Sequence, residues 1–301
     1  MNENNKGIDL GLGSTATDVT PDYSHGVTSP SPAVATAEQH EDIDENDIKI
    51  GYKDAPIVML FGPPSSGKSM TIVRLARYLR DRGYVIKADP TFKSSDKSQA
   101  RCEQFHRDLN SREPLPGTAK NEFLMVQIHH HGKVICQILE APGEDYFNGE
   151  TSVSNLRPYM QEITTNPKNR KVWVFITEAI WSAKAKRKEA YVQRIKNFRN
   201  QYQKPSDRVV LLYNKVDKKE ELMVGGKVHQ AAALKAMEDE YEGISEIFKN
   251  PNPITSLWRP YNYTFVPFKT GTYHEPEGRF TPSEDKYPAH LWSVLTKCFR
   301  G

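Results

Sequence analysis

The sequence has 301 residues, of which 37% are hydrophobic, and a formal net charge of +3. This length and composition suffice for one large folded domain, and the nearly balanced charge gives no case for nucleic acid as a partner. Three scattered cysteines exclude a disulfide framework or a zinc cluster and favour a cytoplasmic location. No apolar stretch approaches the roughly 20 residues of a transmembrane segment.

Residues 1–48 are expected to form a disordered tail. They are rich in Ser, Thr, Pro, Gly and Asn and end in an acidic run at 41–47. A segment with few apolar residues and no periodicity cannot bury enough surface to fold. We therefore predict a solvated linker followed by one folded domain at 49–301.

A glycine-rich motif follows the first apolar run of the predicted domain. Pro56 to Phe61 predicts a short buried strand, and helical spacing predicts a helix from Lys68 to Arg82. In a loop of the form Gly-x-x-x-x-Gly-Lys-Ser, backbone amides and the helix N-terminus hold phosphates, the lysine reaches the outer phosphates, and the serine can ligate Mg²⁺. The predicted phosphate-binding residues are Gly62, Pro63, Pro64, Ser65, Ser66, Gly67, Lys68, Ser69 and Met70.

The next segments predict a short strand, a long loop region and a hairpin. Residues 84–88 are strand-like, and the polar stretch 89–120 predicts a long loop region with a short helix. Two strand-like runs, 122–128 and 133–139, are separated by three histidines and a glycine, which predicts a β-hairpin. Because neighbours on a strand alternate faces, the histidines favour an exposed turn over a metal site.

The rest of the chain alternates strands and helices. Helices are expected at 154–164, 182–203, 228–248 and 287–299, and strands at 171–176, 208–213 and 263–268. This alternation predicts an α/β fold with three layers, in which helices cover both faces of a doubly wound, mostly parallel sheet. The hairpin at 122–139 is expected to add one antiparallel edge strand.

A second motif, Asn214-Lys215-Val216-Asp217, follows the strand at 208–213. Ligands bind at the carboxyl ends of strands in such sheets. The Asp217 carboxylate can accept two hydrogen bonds from N1–H and the 2-amino group of guanine, which adenine does not offer. Asn214 can brace the loop, and the Lys215 stem can lie over the base.

With this order of elements, residues 55–300 resemble the TRAFAC class of P-loop GTPases, in particular Ras-like and translation-factor-like members. The resemblance implies a switch I threonine that completes the Mg²⁺ site, within an extended switch I region at about 89–120. Thr118 is the candidate for it and Thr91 the alternative. The resemblance also places a guanine-supporting loop at Lys269 and Thr270, although this segment matches the usual Ser-Ala-Lys poorly.

Two residues depart from the family pattern. The family's Asp-x-x-Gly reads Glu140-Ala-Pro-Gly143 here, so a longer carboxylate would have to reach the water shell of Mg²⁺. Relatives carry Gln or His after the glycine to orient the attacking water, and this chain has Glu144. A carboxylate near the γ-phosphate is repelled unless a cation or proton intervenes, which would slow hydrolysis. Alternatively, Glu144 points to solvent and takes no part.

Three weaker signals lie outside these motifs. Residues 184–204 carry many basic residues and one acid, which favours a solvated face, although such a helix can dock on an acidic partner, anionic lipid or RNA. Trp173 is expected in the core, and Trp258 on an exposed loop.

The leading hypothesis is a molecular switch that binds GTP or GDP with Mg²⁺ and hydrolyses GTP slowly or with partner stimulation. The expected catalytic residues are Lys68, Thr118, Gly143 and Glu144, and the expected metal ligands are Ser69, Thr118 and Glu140. An unidentified effector or activating protein is the expected partner, and the chain also resembles bacterial GTPases that act in pairs with another GTPase. The alternatives are a GTP-binding scaffold without useful turnover and an ATP-dependent small-molecule kinase.

Overall fold

The structure of the protein, a computed structural model, describes residues 48–92, 95–111, 123–140, 156, 158–274 and 279–300. The tail predicted at 1–48 lies outside these ranges except for its last residue. Along the described chain, no helix combines the length and the apolar character needed to cross a bilayer.

A seven-stranded sheet forms the centre of the domain. Its strands are β1 (Ile57–Phe61), β2 (Val85–Ala88), β3 (Leu124–His130), β4 (Lys133–Glu140), β5 (Lys171–Glu178), β6 (Arg208–Asn214) and β9 (Thr264–Pro267). They lie in the order β2-β3-β4-β1-β5-β6-β9. Two short hairpins lie outside this sheet: β7 (Met223–Val224) with β8 (Lys227–Val228), and β10 (Gly271–His274) with β11 (Arg279–Pro282).

The helices alternate with these strands. They are α1 (Lys68–Arg80), α2 (Asp96–Asn110), α3 (Pro158–Thr165), α4 (Ala185–Tyr202), α5 (Gln230–Glu240), α6 (Pro253–Ser256) and α7 (Lys286–Arg300). Short 3-10 turns follow β6 at Val216–Lys218 and Glu220–Leu222, and another follows α5 at Glu246–Phe248.

The predicted α/β fold and the hairpin are both confirmed. β4, β1, β5, β6 and β9 pair in parallel, whereas β3 is antiparallel to both of its neighbours. His131 and Gly132 form the hairpin turn with positive φ angles of 49° and 75°, which suits a two-residue connection. β2 pairs outside β3, so the antiparallel strand is one position in from the edge.

Helices cover both faces of the sheet, as the alternation of side chains along β1 shows. Val58 and Leu60 face an apolar cluster formed with Ile72 of α1 and Leu291 of α7. Phe61 points to the other face, where its ring packs 5.8 Å from that of Phe198 in α4. Because every residue of β1 and β5 is buried, the core extends on both sides of these strands.

Several predicted boundaries differ from the structure. The segment expected to be mostly loop at 89–120 contains the 15-residue helix α2, which begins at the N-cap Ser95. The helix predicted at 228–248 ends at Glu240, because Gly243 has a φ of 81° and a 3-10 turn follows. The helix predicted from 154 begins at Pro158, a residue favoured in the first turn.

Candidate functional site

The glycine-rich loop connects the carboxyl end of β1 to the first turn of α1. Gly67 has a φ of 89° and Ser65 a φ of 63°, so the backbone turns sharply before the helix begins. The buried Lys68 donates from Nζ to the carbonyl oxygens of Gly62, at 3.1 Å, and Pro63, at 3.0 Å. Its ammonium group therefore lies across the mouth of the loop.

Two positions of this loop require glycine. A Cβ on Gly62 would lie 2.7 Å from Ser66 Oγ and 3.1 Å from Ile176 Cβ. A Cβ on Gly67 would lie 2.5 Å from Asn214 Nδ2, at a φ that disfavours other residues in any case. The spacing of the motif thus follows from close packing against β5 and β6.

Asn214 joins the second motif to this loop. Its Nδ2 donates to the carbonyl oxygen of Ser66 at 2.9 Å, and the residue is completely buried at the end of β6. Its Oδ1 and the Ser66 Oγ are buried without a hydrogen-bond partner. Since buried polar atoms are nearly always paired, these two atoms mark a place where a ligand can supply hydrogen bonds.

Lys215 makes a second connection between the two motifs. Its Nζ donates to the carbonyl oxygen of Ser65 at 3.1 Å and to the carboxylate of Glu178, the last residue of β5. Burial raises the pKa of Glu178, whereas the hydrogen bond and charge of Lys215 and the charge of Lys68 oppose that rise. Glu178 thus lies between the lysines of both motifs.

Asp217 lies in the 3-10 turn that follows, next to the segment after β9. Val216 N donates to Phe268 O at 3.4 Å, and Phe268 N donates to Tyr213 O at 2.8 Å, so Lys269 and Thr270 follow directly beside the second motif. Burial raises the pKa of Tyr287 to about 12, and the carboxylates of Glu284 and Asp217 add to this rise. The Lys269 ammonium lies 4.0 Å from Glu284 Oε2.

Ser69 and Glu140 meet at the carboxyl end of β4. The Ser69 hydroxyl donates to Glu140 Oε1, and Glu140 is only 1% exposed. The other oxygen, Oε2, accepts from Arg101 Nη2 of α2 at 3.1 Å. A hydroxyl and a carboxylate oxygen are the ligand types that Mg²⁺ takes, so this pair fits the metal expected here.

The other predicted residues are placed as follows. Thr91 is exposed, and its hydroxyl donates to Asp89 Oδ1 at 2.6 Å. Thr118, Gly143 and Glu144 lie outside the described residues. Pro63, Pro64 and Met70 belong to the loop and to the first turn of α1.

Sequence reasoning missed Arg101 and Glu178. Glu178 stands at the carboxyl end of a parallel strand, where ligands bind, but the predicted strand ended two residues earlier. Arg101 lies in a polar stretch taken for a loop, and no motif marks it. Only the packing of α2 beside β4 brings its guanidinium to Glu140.

The exposed turn predicted for the three histidines is wrong for two of them, because only His131 lies in the turn and His129 is buried. His129 and His130 lie in β3, and the His130 ring stacks on Tyr84 with centroids 4.1 Å apart. Among the residues for which the structure gives positions, no group of three or more His, Cys, Asp or Glu side chains could hold a metal ion.

A search with protein-family models finds no match, and neither does a search among curated proteins. Solved structures with a similar course of the chain include the signal recognition particle receptor SRb-GTP/SRX complex from Chaetomium thermophilum, at 12% identity and TM-score 0.43. That match covers 82% of this chain and 99% of the other.

Two further structures are also similar to this chain. Roco2 RocCORdC of Methanosarcina barkeri, bound to GDP, has 13% identity and TM-score 0.34 over 81% of this chain and 48% of its own. The Ski7 GTPase-like domain of S. cerevisiae, bound to GTP, has 12% identity and TM-score 0.42 over 82% of this chain and 51% of its own.

Proposed function

We propose that this protein binds a guanine nucleotide together with Mg²⁺ and hydrolyses GTP slowly or when a partner stimulates it. The observation that carries the proposal is the hydrogen bond from Asn214 to the Ser66 carbonyl. It brings a motif suited to guanine and a loop suited to phosphates into one continuous site, as a single nucleotide requires. Lys215 reinforces this connection through Ser65.

The described residues have distinct roles in this proposal. The backbone N–H groups of residues 65–69 and the N-terminus of α1 bind the phosphates, and Lys68 exchanges its carbonyl partners for phosphate oxygens. Asp217 accepts hydrogen bonds from guanine, and Lys269 and Thr270 support the base. Ser69 and Glu140 hold Mg²⁺, directly or through its water shell, and the ion neutralises charge on the phosphates when bound.

The remaining roles belong to residues outside the described ranges. We assign the switch I threonine to Thr118, and the response to the γ-phosphate to Gly143 and Glu144. The segments near 89–120 and 140–150 would then differ between the GTP and GDP forms, and a protein partner would recognise that difference. An activating protein, such as a second GTPase, would supply what Glu144 lacks in orienting water.

A specific observation favours a scaffold without useful turnover as the second candidate. Arg101 already compensates the charge of Glu140, so this carboxylate is paired before any metal arrives. Single-turnover GTP hydrolysis by the purified protein, with and without cell extract, separates the two functions. Robust turnover by the purified protein excludes the scaffold, and none in either condition excludes the switch.

Calorimetric titration with GDP and ADP tests the choice of base. We expect GDP to bind roughly 100-fold more tightly than ADP, because only guanine offers the donor pair for Asp217. Tighter binding of ADP would contradict the proposal and favour an ATP-dependent kinase.

The substitution Asp217→Asn tests the residue that reads the base. It should weaken GDP binding roughly 100-fold, since a hydrogen bond to a charged group contributes about 1.5–3 kcal/mol, and strengthen xanthosine diphosphate binding. Glu220→Gln, at an exposed position three residues along, is the matched control and should change neither affinity. Unchanged selectivity in Asp217→Asn would show that this carboxylate does not contact the base.

A further inference from the structure

A basic cavity lies at the amino-terminal end of β6. It has a volume of about 490 Å³, and its charged lining residues are Arg199, Lys204, Asp207, Arg208 and Arg259. Four of these five side chains are cationic. The cavity therefore has a strongly positive lining with a single acid.

The acid of this cavity points into the protein. Asp207 is 6% exposed, and its Oδ2 accepts hydrogen bonds from Trp173 Nε1 and from the Lys204 backbone N, both at 3.0 Å. Within the described ranges, none of the four cations forms an ion pair. Lys204 Nζ donates to a carbonyl, that of Thr165, at 2.6 Å.

A second cavity extends the positive surface. It has a volume of about 480 Å³, shares Arg208 and Arg259 with the first and adds Lys297. Burial raises the pKa of the Cys298 thiol in its wall, and the charges of Arg208, Arg259 and Arg170 oppose that rise. Three arginines, Arg170, Arg208 and Arg259, thus lie near enough to this thiol for their charges to act on it.

A braced loop, residues 249–262, stands beside the cavities. Asn250 N donates to Pro260 O at 2.8 Å, and Asn262 N donates to Phe248 O at 2.7 Å, which closes the base of the loop. Asn250 Nδ2 also donates to Arg259 O at 3.0 Å. These bonds fix the position of α6 at the tip.

The tip of this loop exposes three large apolar side chains. Ile254 is 74% exposed, Leu257 82% and Trp258 90%. Residues 250–262 contain one cation, Arg259, and no acid. At the base, Lys249 is paired with Glu246 and so adds no net charge to this surface.

We propose that this loop and the two cavities dock the protein on a membrane surface that contains anionic lipids. The three apolar side chains of the tip would enter the interface between headgroups and acyl chains, and Arg199, Lys204, Arg208, Arg259 and Lys297 would bind lipid phosphates. Tryptophan beside aliphatic residues is typical of side chains that enter this interface, and unpaired cations add affinity for anionic lipids.

The chemistry of the surface favours lipid over a protein or a nucleic acid as the partner. In the part of the chain that the structure describes, the four cations of the first cavity form no ion pair, and loop residues 250–262 carry no acid. The surface thus combines unopposed positive charge with exposed apolar side chains, which suits an anionic lipid surface. Single-stranded nucleic acid is bound by stacking on several aromatic rings, and only one of the three apolar residues of the tip is aromatic.

Vesicle flotation with the full-length protein tests the proposal. Vesicles of phosphatidylcholine alone are compared with vesicles that contain about 30 mol% phosphatidylserine, at physiological ionic strength. The wild type should float with the anionic vesicles and remain behind with the neutral ones. Leu257→Ser/Trp258→Ser and Arg208→Glu/Arg259→Glu should each reduce the bound fraction at least about tenfold.

The matched control is Lys186→Glu/Arg187→Glu, in the first turn of α4. Both side chains are exposed, and the change in net charge equals that of Arg208→Glu/Arg259→Glu, but they lie at the far end of the helix from Arg199. This control should bind as the wild type does. Equal loss in both double variants would mean that net charge alone governs binding, and would overturn the proposal.

A spectroscopic readout locates the contact. Lipids brominated in the acyl chains should quench part of the tryptophan fluorescence of the wild type, and Trp258→Phe should bind normally without this quenching. Three results contradict the proposal: no flotation with anionic vesicles, binding of single-stranded RNA in its place, or self-association that Leu257→Ser/Trp258→Ser abolishes.

Discussion

Glu140 is almost completely buried, and each oxygen of its carboxylate has a different partner. Ser69 donates to one oxygen, and Arg101 of α2 donates to the other at 3.1 Å. A buried charge that loses one partner is strongly destabilised, because the remaining interactions no longer offset its desolvation. Arg101 therefore supplies the positive charge beside this carboxylate when no metal is bound.

Arg101→Gln should lower the free energy of unfolding of the nucleotide-free protein by about 3 kcal/mol, the scale for breaking a buried ion pair. Added Mg²⁺ should then stabilise the GDP-bound variant more than the GDP-bound wild type, since the ion supplies the charge that the glutamine lacks. Urea unfolding with and without Mg²⁺ measures both effects.

Arg107→Gln is the matched control on the same helix. Arg107 is exposed, and its guanidinium bonds to Gln104 rather than to a carboxylate. We expect it to change stability by no more than about 0.5 kcal/mol, as for most surface substitutions. An equal loss in both variants would show that the pairing with Glu140 contributes nothing.

Lys171 carries a second buried charge, at the start of β5. Its side chain is 1% exposed and donates to the carbonyl oxygen of Asn166. Burial lowers the pKa of Lys171 to about 8, although Asp207 favours the charged form. Between that pH and 10.5, its usual value, the unfolded chain binds more protons than the folded one, so folding stability rises with pH in this window.

Lys171→Met should remove this rise. Below pH 8 the variant should be the more stable protein, and the wild type should regain up to about 3 kcal/mol relative to it as the pH rises to 10.5. Urea unfolding at several pH values measures the difference. Lys168→Met, at an exposed position, is the control, and a pH-independent difference for Lys171→Met would contradict the expectation.

At the scale of elements, α1 is flanked by two glycines with similar positive φ angles. Gly67 precedes it with a φ of 89°, and Gly83 follows it with a φ of 80°. They differ in their surroundings. A Cβ on Gly67 would lie 2.5 Å from Asn214, whereas a Cβ on Gly83 would have no atom within 4 Å.

Alanine substitutions at the two glycines separate the cost of a left-handed backbone from the effect of a steric clash with Asn214. Gly67→Ala and Gly83→Ala should each lose about 1–2 kcal/mol of stability through the left-handed backbone. Only Gly67→Ala should also abolish GDP binding, because it displaces Asn214 or the loop. Thermal unfolding and GDP titration of both variants test this, and GDP binding by Gly67→Ala as tight as by Gly83→Ala would contradict it.

Continuous apolar runs predicted the central strands well. β1, β5 and β6 are buried on both faces, so their sequences contain little except apolar residues. α2 was harder to predict, because its buried face includes Ser98, Arg101 and Asp108 beside few apolar residues. Gly243 marked the break after α5, yet the apolar residues on either side suggested one longer helix.

At the scale of the whole molecule, the parallel sheet explains why part of the site was predictable. The carboxyl ends of β1 and β6 lie at one edge of the sheet, so two motifs about 150 residues apart in the sequence could be expected to meet. The contact between Asn214 and Ser66 follows from this topology. The Arg101–Glu140 pair depends on how α2 packs, which no local pattern encodes.

The direction of β6 also determines the orientation that the docked protein would have on the membrane. The strand begins at Arg208, in the basic cavities, and ends six residues later at Asn214, beside the phosphate loop, roughly 20 Å away. On a bilayer, the nucleotide would therefore face the water and remain open to exchange. An effector protein could contact the nucleotide site on the side away from the membrane, without competing with lipid for the same surface.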